Sequence, residues 1–231
     1  MFREETSHAS VYNCTRIDNS KHILAFSDFP PPQSYPHYCS HRLIIEYLGS
    51  YADHFGLRSH VHLNTRVLMC SIVGDKWKVV TAGTASDGKQ EEHEFDAVLV
   101  CNGHHNIPRI PKEFTGTPFK GTILHSHTFK RSTPFLGKKV VVVGVGNSGV
   151  DIACDVAHDA QSTILSTRSG AFVLPKMYKG KPIDFSLSYL SYCLPWSFVH
   201  HFLFLSGRPD VILFFFFSVP KLESERCSQI A

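Results

Sequence analysis

Apolar residues recur at two periods along this chain, and each period marks a kind of element. Leu43, Tyr47, Leu48, Tyr51, Ala52 and Phe55 lie three and four residues apart on one stripe. That spacing predicts a helix, with Ser40 as its N-cap and Gly56 at its end. Val61, Leu63 and the run from Val67 to Val73 are patterned as strands, as is Trp77-Lys78-Val79-Val80-Thr81. Asp87-Gly88 is a hairpin signal, after which Phe95 to Cys101 resumes as a strand that Asn102-Gly103 ends. Pro108, Pro111, Gly116, Pro118 and Gly121 punctuate a long connection. Val140 to Val143 then form a near-continuous apolar run, as expected of a parallel strand buried on both faces. A glycine loop, a helix to about Ala160 and a strand over Thr163 to Thr167 complete a βαβ unit. The fold class is therefore α/β. Ahead of these elements, the stretch to about Ser20 is polar and without period. Phe26-Ser27-Asp28-Phe29-Pro30-Pro31-Pro32 is expected to be a stiff, extended connection.

Composition narrows the function classes. The 231 residues are 43% hydrophobic and 19% charged, too apolar and too weakly charged for a disordered chain. A net charge of +3 supplies no field for nucleic acid, so no nucleic-acid partner is expected. The seven cysteines are scattered, with no Cys-x-x-Cys, which points to reduced thiols rather than a disulfide framework or zinc knuckle. His60 and His62, like His125 and His127, read as alternating positions on strands. No Glu or Cys completes a ligand set around them, and no metal is expected. Met1-Phe2-Arg3-Glu4-Glu5 leads into no apolar signal segment. Near the other end, Phe198–Leu205 and Val211–Val219 are strongly apolar, with Gly207-Arg208-Pro209-Asp210 between them. Each run is shorter than the roughly 18 residues of a bilayer span. They are expected to be buried, or to lie at a membrane surface.

The strongest chemical signal is Gly144-Val145-Gly146-Asn147-Ser148-Gly149. A G-x-G-x-x-G is weak alone, but this one follows a strand and opens a helix. Gly144 permits the tight turn, Gly146 lets backbone approach a pyrophosphate, and Gly149 lets helix and strand pack closely. Free N–H groups at the helix start, with Asn147 and Ser148, would face the diphosphate. Asp151, Asp155 and Asp159 recur every four residues and are expected on the solvated face of that helix. A site for NAD places an acidic residue at the end of the second strand. Here Thr167-Arg168 stands there, which suits the 2′-phosphate of NADP.

These segments resemble the flavin-containing monooxygenases, the animal microsomal type in particular. The motif that carries the resemblance is F-x-G-x-x-x-H with Tyr or Phe four residues on, here Phe119-Lys120-Gly121-Thr122-Ile123-Leu124-His125-Ser126-His127-Thr128-Phe129. Phe26–Pro30, Trp77–Thr81, Phe95–Cys101 and Leu165–Val173 also match family segments, and the likeness runs from Phe2 to about Asp184. It implies an N- and S-oxygenase of soft nucleophiles such as tertiary amines and sulfides, using NADPH, O2 and FAD. It further implies residence on the endoplasmic-reticulum membrane, the alternative being cytoplasmic, and leaves room for membrane association and self-association. His125 is expected to fix its connection by hydrogen bonds.

The departures from the family are as informative. The family carries two glycine fingerprints, the first for FAD; this chain carries one, matching the second. The implied organisation is a partial FAD-binding domain over residues 1–116, a partial NADP-binding domain of Rossmann type over 117–197, and a divergent apolar tail over 198–231. On that view the chain is truncated at both ends, and the alternative function is a catalytically inactive NADPH-binding fragment. The family's catalytic Asn, near the reacting carbon of the flavin, is matched here by Asp18; Asn19 reaches that position only after a one-residue shift. A carboxylate there repels developing negative charge. Cys101 precedes the linker residues Asn102 and Gly103, which the resemblance places near both cofactors, where the family has Thr or Ser.

Overall fold

The computed structural model describes residues 10–84, 88–114, 118–168, 170–173, 175–186, 212–214 and 218–219. The chain divides into two compact units, one of Met1–Tyr47 with His105–Ala231 and one of Leu48–His104. Helix α1 is Lys21–Leu24 and helix α2 is His41–His54. Strands β1 (Thr65–Val73), β2 (Lys76–Gly83) and β3 (Gln90–Phe95) belong to the second unit. In the first, β4 (Lys139–Val143) leads through the glycine loop into α3 (Asn147–Asp159) and β5 (Ser162–Ser166). Four short strands follow: β6 (Ala171–Val173), β7 (Met177–Tyr178), β8 (Lys181–Pro182) and β9 (Ile212–Phe214); β10 is Ser218–Val219.

The first unit is built around α3. β4 and β5 are parallel, with Val141 opposite Ile164, and β10 runs antiparallel along the other edge of β5. A right-handed helix between two parallel strands can cover one sheet face with one stripe. Ile152, Ala153, Val156 and Ala157 form that stripe, and Ala160 just beyond continues it. Val156 and Ile152 pack with Tyr12 and Phe129, flanked by Phe135, Val140 and Val142. The Tyr12 and Phe129 rings meet edge to face at 5.7 Å. β4 is not buried on both faces as its valines suggested: Val140 and Val142 turn inward, while Val141 and Val143 are each 59% exposed. Among the described residues, α3 covers one face of β4 and nothing comparable covers the other.

The segment before α2 is folded rather than extended. Phe26 and Phe29 close a tight turn, with Phe29 N–H donating to the Phe26 carbonyl. The Tyr47 hydroxyl organises it, accepting from Phe26 N–H at 2.9 Å and donating to the Phe29 carbonyl at 2.6 Å. The expected stiffness begins only at the prolines. Their carbonyls lack the regular partners of a helix or sheet, and Lys21 serves the end of the run. Its Nζ donates to the carbonyls of Pro32, Gln33 and Tyr35.

The second unit is an antiparallel meander in the order β1-β2-β3. A register shift between Val67 and Met69 bends β1. Val79 and Val80 of β2 are buried, whereas nearly all of β1 is exposed. Asp87 of the expected hairpin lies outside the described residues. Three expectations are corrected here. Val61 and Leu63 are not strand but irregular chain and turn. Phe95 closes β3, and residues 97–101 form no ladder, leaving Leu99 90% exposed. His60 lies in a 3₁₀ turn and His62 in irregular chain, while His125 caps a 3₁₀ turn that contains His127, so neither pair alternates on a strand. The apolar pattern is real in each case, but a strand needs a neighbour to satisfy its backbone. His125 makes local hydrogen bonds: its Nδ1 accepts from His127 N–H, and its carbonyl accepts from the Thr128 hydroxyl.

Candidate functional site

The glycine loop has the geometry its sequence requires. Gly144 sits at φ +107°, a conformation L side chains rarely adopt, and its N–H donates to the Ser166 carbonyl at the end of β5. A Cβ added at Gly149 would fall 2.3 Å from the Gly144 carbonyl oxygen, so only glycine lets α3 approach the loop this closely. A Cβ at Gly146 would meet nothing within 4 Å. Gly146 is the N-cap of α3 and offers no side chain to its first amides, and no acidic residue occupies the first turn. The helix start therefore presents backbone donors and the positive end of its dipole to open space. Such a helix start is suited to an anion.

The two polar fingerprint residues are tied to the segment near the N-terminus. Asn147 Nδ2 donates to Asp18 Oδ2 at 2.5 Å. Ser148 hydrogen-bonds Tyr12, and Tyr12 Oη donates to Asp151 Oδ2 at 2.8 Å. Thus Asp18, placed by sequence far from the fingerprint, stands at its edge, with Asn19 exposed beside it. Thr167 follows β5 and its hydroxyl points to the Gly170 carbonyl at 3.4 Å; Arg168 is exposed. Asn102 and Gly103 lie exposed in the second unit, Gly103 at φ +71°.

Asp151, Asp155 and Asp159 do not form a solvated face. All three are half-buried. Asp151 holds Tyr12, and Asp155 hydrogen-bonds Cys14 and Ser132. Burial raises the pKa of both Asp151 and Asp155 above the ordinary carboxylate range. Burial also lifts the Cys14 thiol to about 12, with Asp155 and Asp151 adding to the effect. The four-residue spacing placed these carboxylates on one face correctly, but the strand-poor segment 11–16 lies along that face.

Sequence reasoning passed over Tyr12 and Lys176. Lys176 carries an ammonium 5.3 Å from the Tyr38 ring centroid, and its carbonyl accepts from Tyr38 Oη at 2.5 Å. It interacts electrostatically with Asp18, Asp151 and Arg16, and burial, the largest influence, lowers its pKa. Neither residue falls in a motif, and their partners lie more than a hundred residues away, so no local pattern marks them.

A parallel strand pair joined by a helix that begins at a glycine loop resembles a partial dinucleotide-binding domain. The family model described as flavin-binding monooxygenase-like matches residues 2–201, and the chain belongs to that family. It is 41% identical over 194 residues to the flavin-containing monooxygenase 5 of Rattus norvegicus, covering 80% of this chain and 36% of the relative. It is 36% identical over 215 residues to the dimethylaniline monooxygenase [N-oxide-forming] 2 of Cavia porcellus, covering 90% of this chain and 37% of the relative. The solved S-allyl-L-cysteine S-oxygenase of Allium sativum superposes with a TM-score of 0.63 at 30% identity, over 74% of this chain and 40% of that one. The chain thus spans little more than a third of the length of the curated relatives it matches. Among the described residues, no helix is long and apolar enough to cross a membrane.

Proposed function

We propose that this chain is the NADP(H)-binding portion of a flavin-dependent monooxygenase that oxygenates nitrogen and sulfur in soft nucleophiles such as tertiary amines and sulfides. The observation that carries the reading is the glycine loop, where Gly149 admits no Cβ and Gly146 opens onto space and gives the helix start no side-chain cap. On this reading Gly144, Gly146, Asn147, Ser148 and Gly149 hold the diphosphate, and Thr167 with Arg168 receives the 2′-phosphate. Residues 117–197 then act as the NADP-binding domain and residues 1–116 contribute part of an FAD-binding domain, with Asn102 and Gly103 in the linker. Asp18 and Asn19 occupy the segment that faces the flavin in the family. When bound, FAD supplies the activation of O2. The close approach at Gly149 and the open space at Gly146 support NADP. The fit is poorer for FAD, because the sequence has a single G-x-G-x-x-G and no second glycine loop of this kind lies among the described residues. The alternative reading is that this chain binds NADPH without turnover. Association with the endoplasmic-reticulum membrane belongs to the proposal by family.

The test is titration of the purified chain with NADPH, followed by fluorescence, and with FAD, followed by absorbance, alongside Gly149→Val. The expected result is NADPH binding that exceeds NADH binding and is lost in Gly149→Val. Bound flavin that bleaches on NADPH addition selects the monooxygenase. NADPH binding without flavin selects the inactive module. A folded chain that binds neither overturns both readings.

A further inference from the structure

Asp18 is held by Asn147, and the backbone two residues on is held separately. Asp18 accepts from Asn147, the first residue of α3. Ser20 N–H donates to Asp184 Oδ2 at 2.6 Å; Ser20 is fully buried and Asp184 nearly so. The carboxylate of Asp18 itself is exposed. That carboxylate therefore lies beside the first residue of α3, next to a backbone that is anchored at Ser20. Around it stand Asp151 on α3, Lys176, and Arg16, the charged groups that act on one another there. With Asp155, which also acts on Asp151, three carboxylates and two cations share this electrostatic network. This is a costly arrangement for a site that binds a diphosphate, because a carboxylate at a helix N-terminus takes the favourable interaction an incoming anion would gain and repels that anion as well.

We propose that Asp18 is a built-in competitor for the diphosphate: its carboxylate, hydrogen-bonded to Asn147 and offsetting Lys176, sets how weakly the α3 cradle holds NADP(H). The inference rests on the cofactor reading above and adds the residue that tunes it. Asp18→Asn is the discriminating change. The amide oxygen still accepts from Asn147, so the loop geometry is kept, and only the charge is removed.

The experiment measures NADPH affinity of the full chain by fluorescence at low and high salt, for wild type, Asp18→Asn, Lys176→Met and the double variant. Adenosine 2′,5′-bisphosphate, which lacks the diphosphate bridge, serves as control ligand. Asp18→Asn is expected to tighten NADPH binding about three- to tenfold at low ionic strength, with the gain shrinking as salt screens it. Lys176→Met is expected to weaken binding, and the double variant to return toward the wild-type value. The bisphosphate should respond far less to Asp18→Asn. Equal or weaker NADPH binding by a folded Asp18→Asn, or a gain equally large for the bisphosphate, overturns the proposal while leaving the cofactor reading intact. Failure of wild type and Asp18→Asn alike to bind NADPH overturns the cofactor reading, and this proposal with it.

Discussion

The β4–α3–β5 region and the β1–β2–β3 meander are made from similar residues and end in different states. Both contain strands rich in valine or isoleucine, β1 and β2 in one and β4 in the other. Around α3, the apolar stripe meets Phe129, Tyr12 and the inward valines of β4. In the meander, Val67, Met69, Ile72 and Val73 of β1 are exposed, and burial is confined to Val79 and Val80. The difference teaches that an apolar pattern states what an element is able to bury. Whether it does so depends on a partner, and the energy is gained only on contact.

The sharpest way to break this comparison is by core truncation. Phe129→Ala should cost about 3–5 kcal/mol, since the ring is 2% exposed and touches both Tyr12 and Phe135. Ile72→Ala should cost less than about 0.5 kcal/mol. Chemical denaturation of the two variants checks this, and similar losses would show that β1 is buried in solution.

A smaller effect concerns pH. Because the folded carboxyls of Asp151 and Asp155 titrate above the ordinary range, the folded state binds protons the unfolded state has released. Their contribution is fully present below the unfolded pKa and is lost as pH rises through the folded values. Asp151→Asn keeps an oxygen for Tyr12 Oη and removes that loss. It should raise Tm by about 2 °C at pH 7, with the gap closing toward pH 4 or below. A thermal melt series across pH measures it, and a gap that widens in acid would reverse the assigned sign.

The smallest perturbation is alkylation, which sharpens the contrast without mutation. Cys70 and Cys101 are exposed, while Cys39 is buried and Cys14 is held protonated by burial. At pH 8, peptides containing Cys70 and Cys101 should label at least about tenfold faster than those containing Cys14 and Cys39, as read by mass spectrometry. Uniform rates would contradict the difference between the regions.

Much of the α3 region was legible because its signals are local. Gly144 to Gly149 combine with the preceding valines to mark strand, turn and helix within about one residue of their bounds. Helix α2 was legible for the same reason, from its stripe and from Gly56, which takes φ +63° at its end. What escaped depends on distance along the chain. Nothing near Asp151 says that Tyr12 will cover it, and nothing near Asp18 says that Asn147 will reach it. Residues 97–101 show the opposite failure. Their apolar run is a complete strand signal, but strand formation also requires an adjacent edge, which a one-dimensional pattern cannot supply. Gly146 and Gly149 were legible as a fingerprint, yet the carboxylate of Asp18 beside it became visible only in three dimensions.

Lys21 has a practical consequence of its own. Its ammonium is enclosed and spends all its protons on the carbonyls of Pro32, Gln33 and Tyr35. It is therefore an internal clasp that amine-directed reagents reach only when the proline loop comes away. Acylation of Lys21 would report the opening of that loop, one molecule at a time, against a background of surface lysines that react at once.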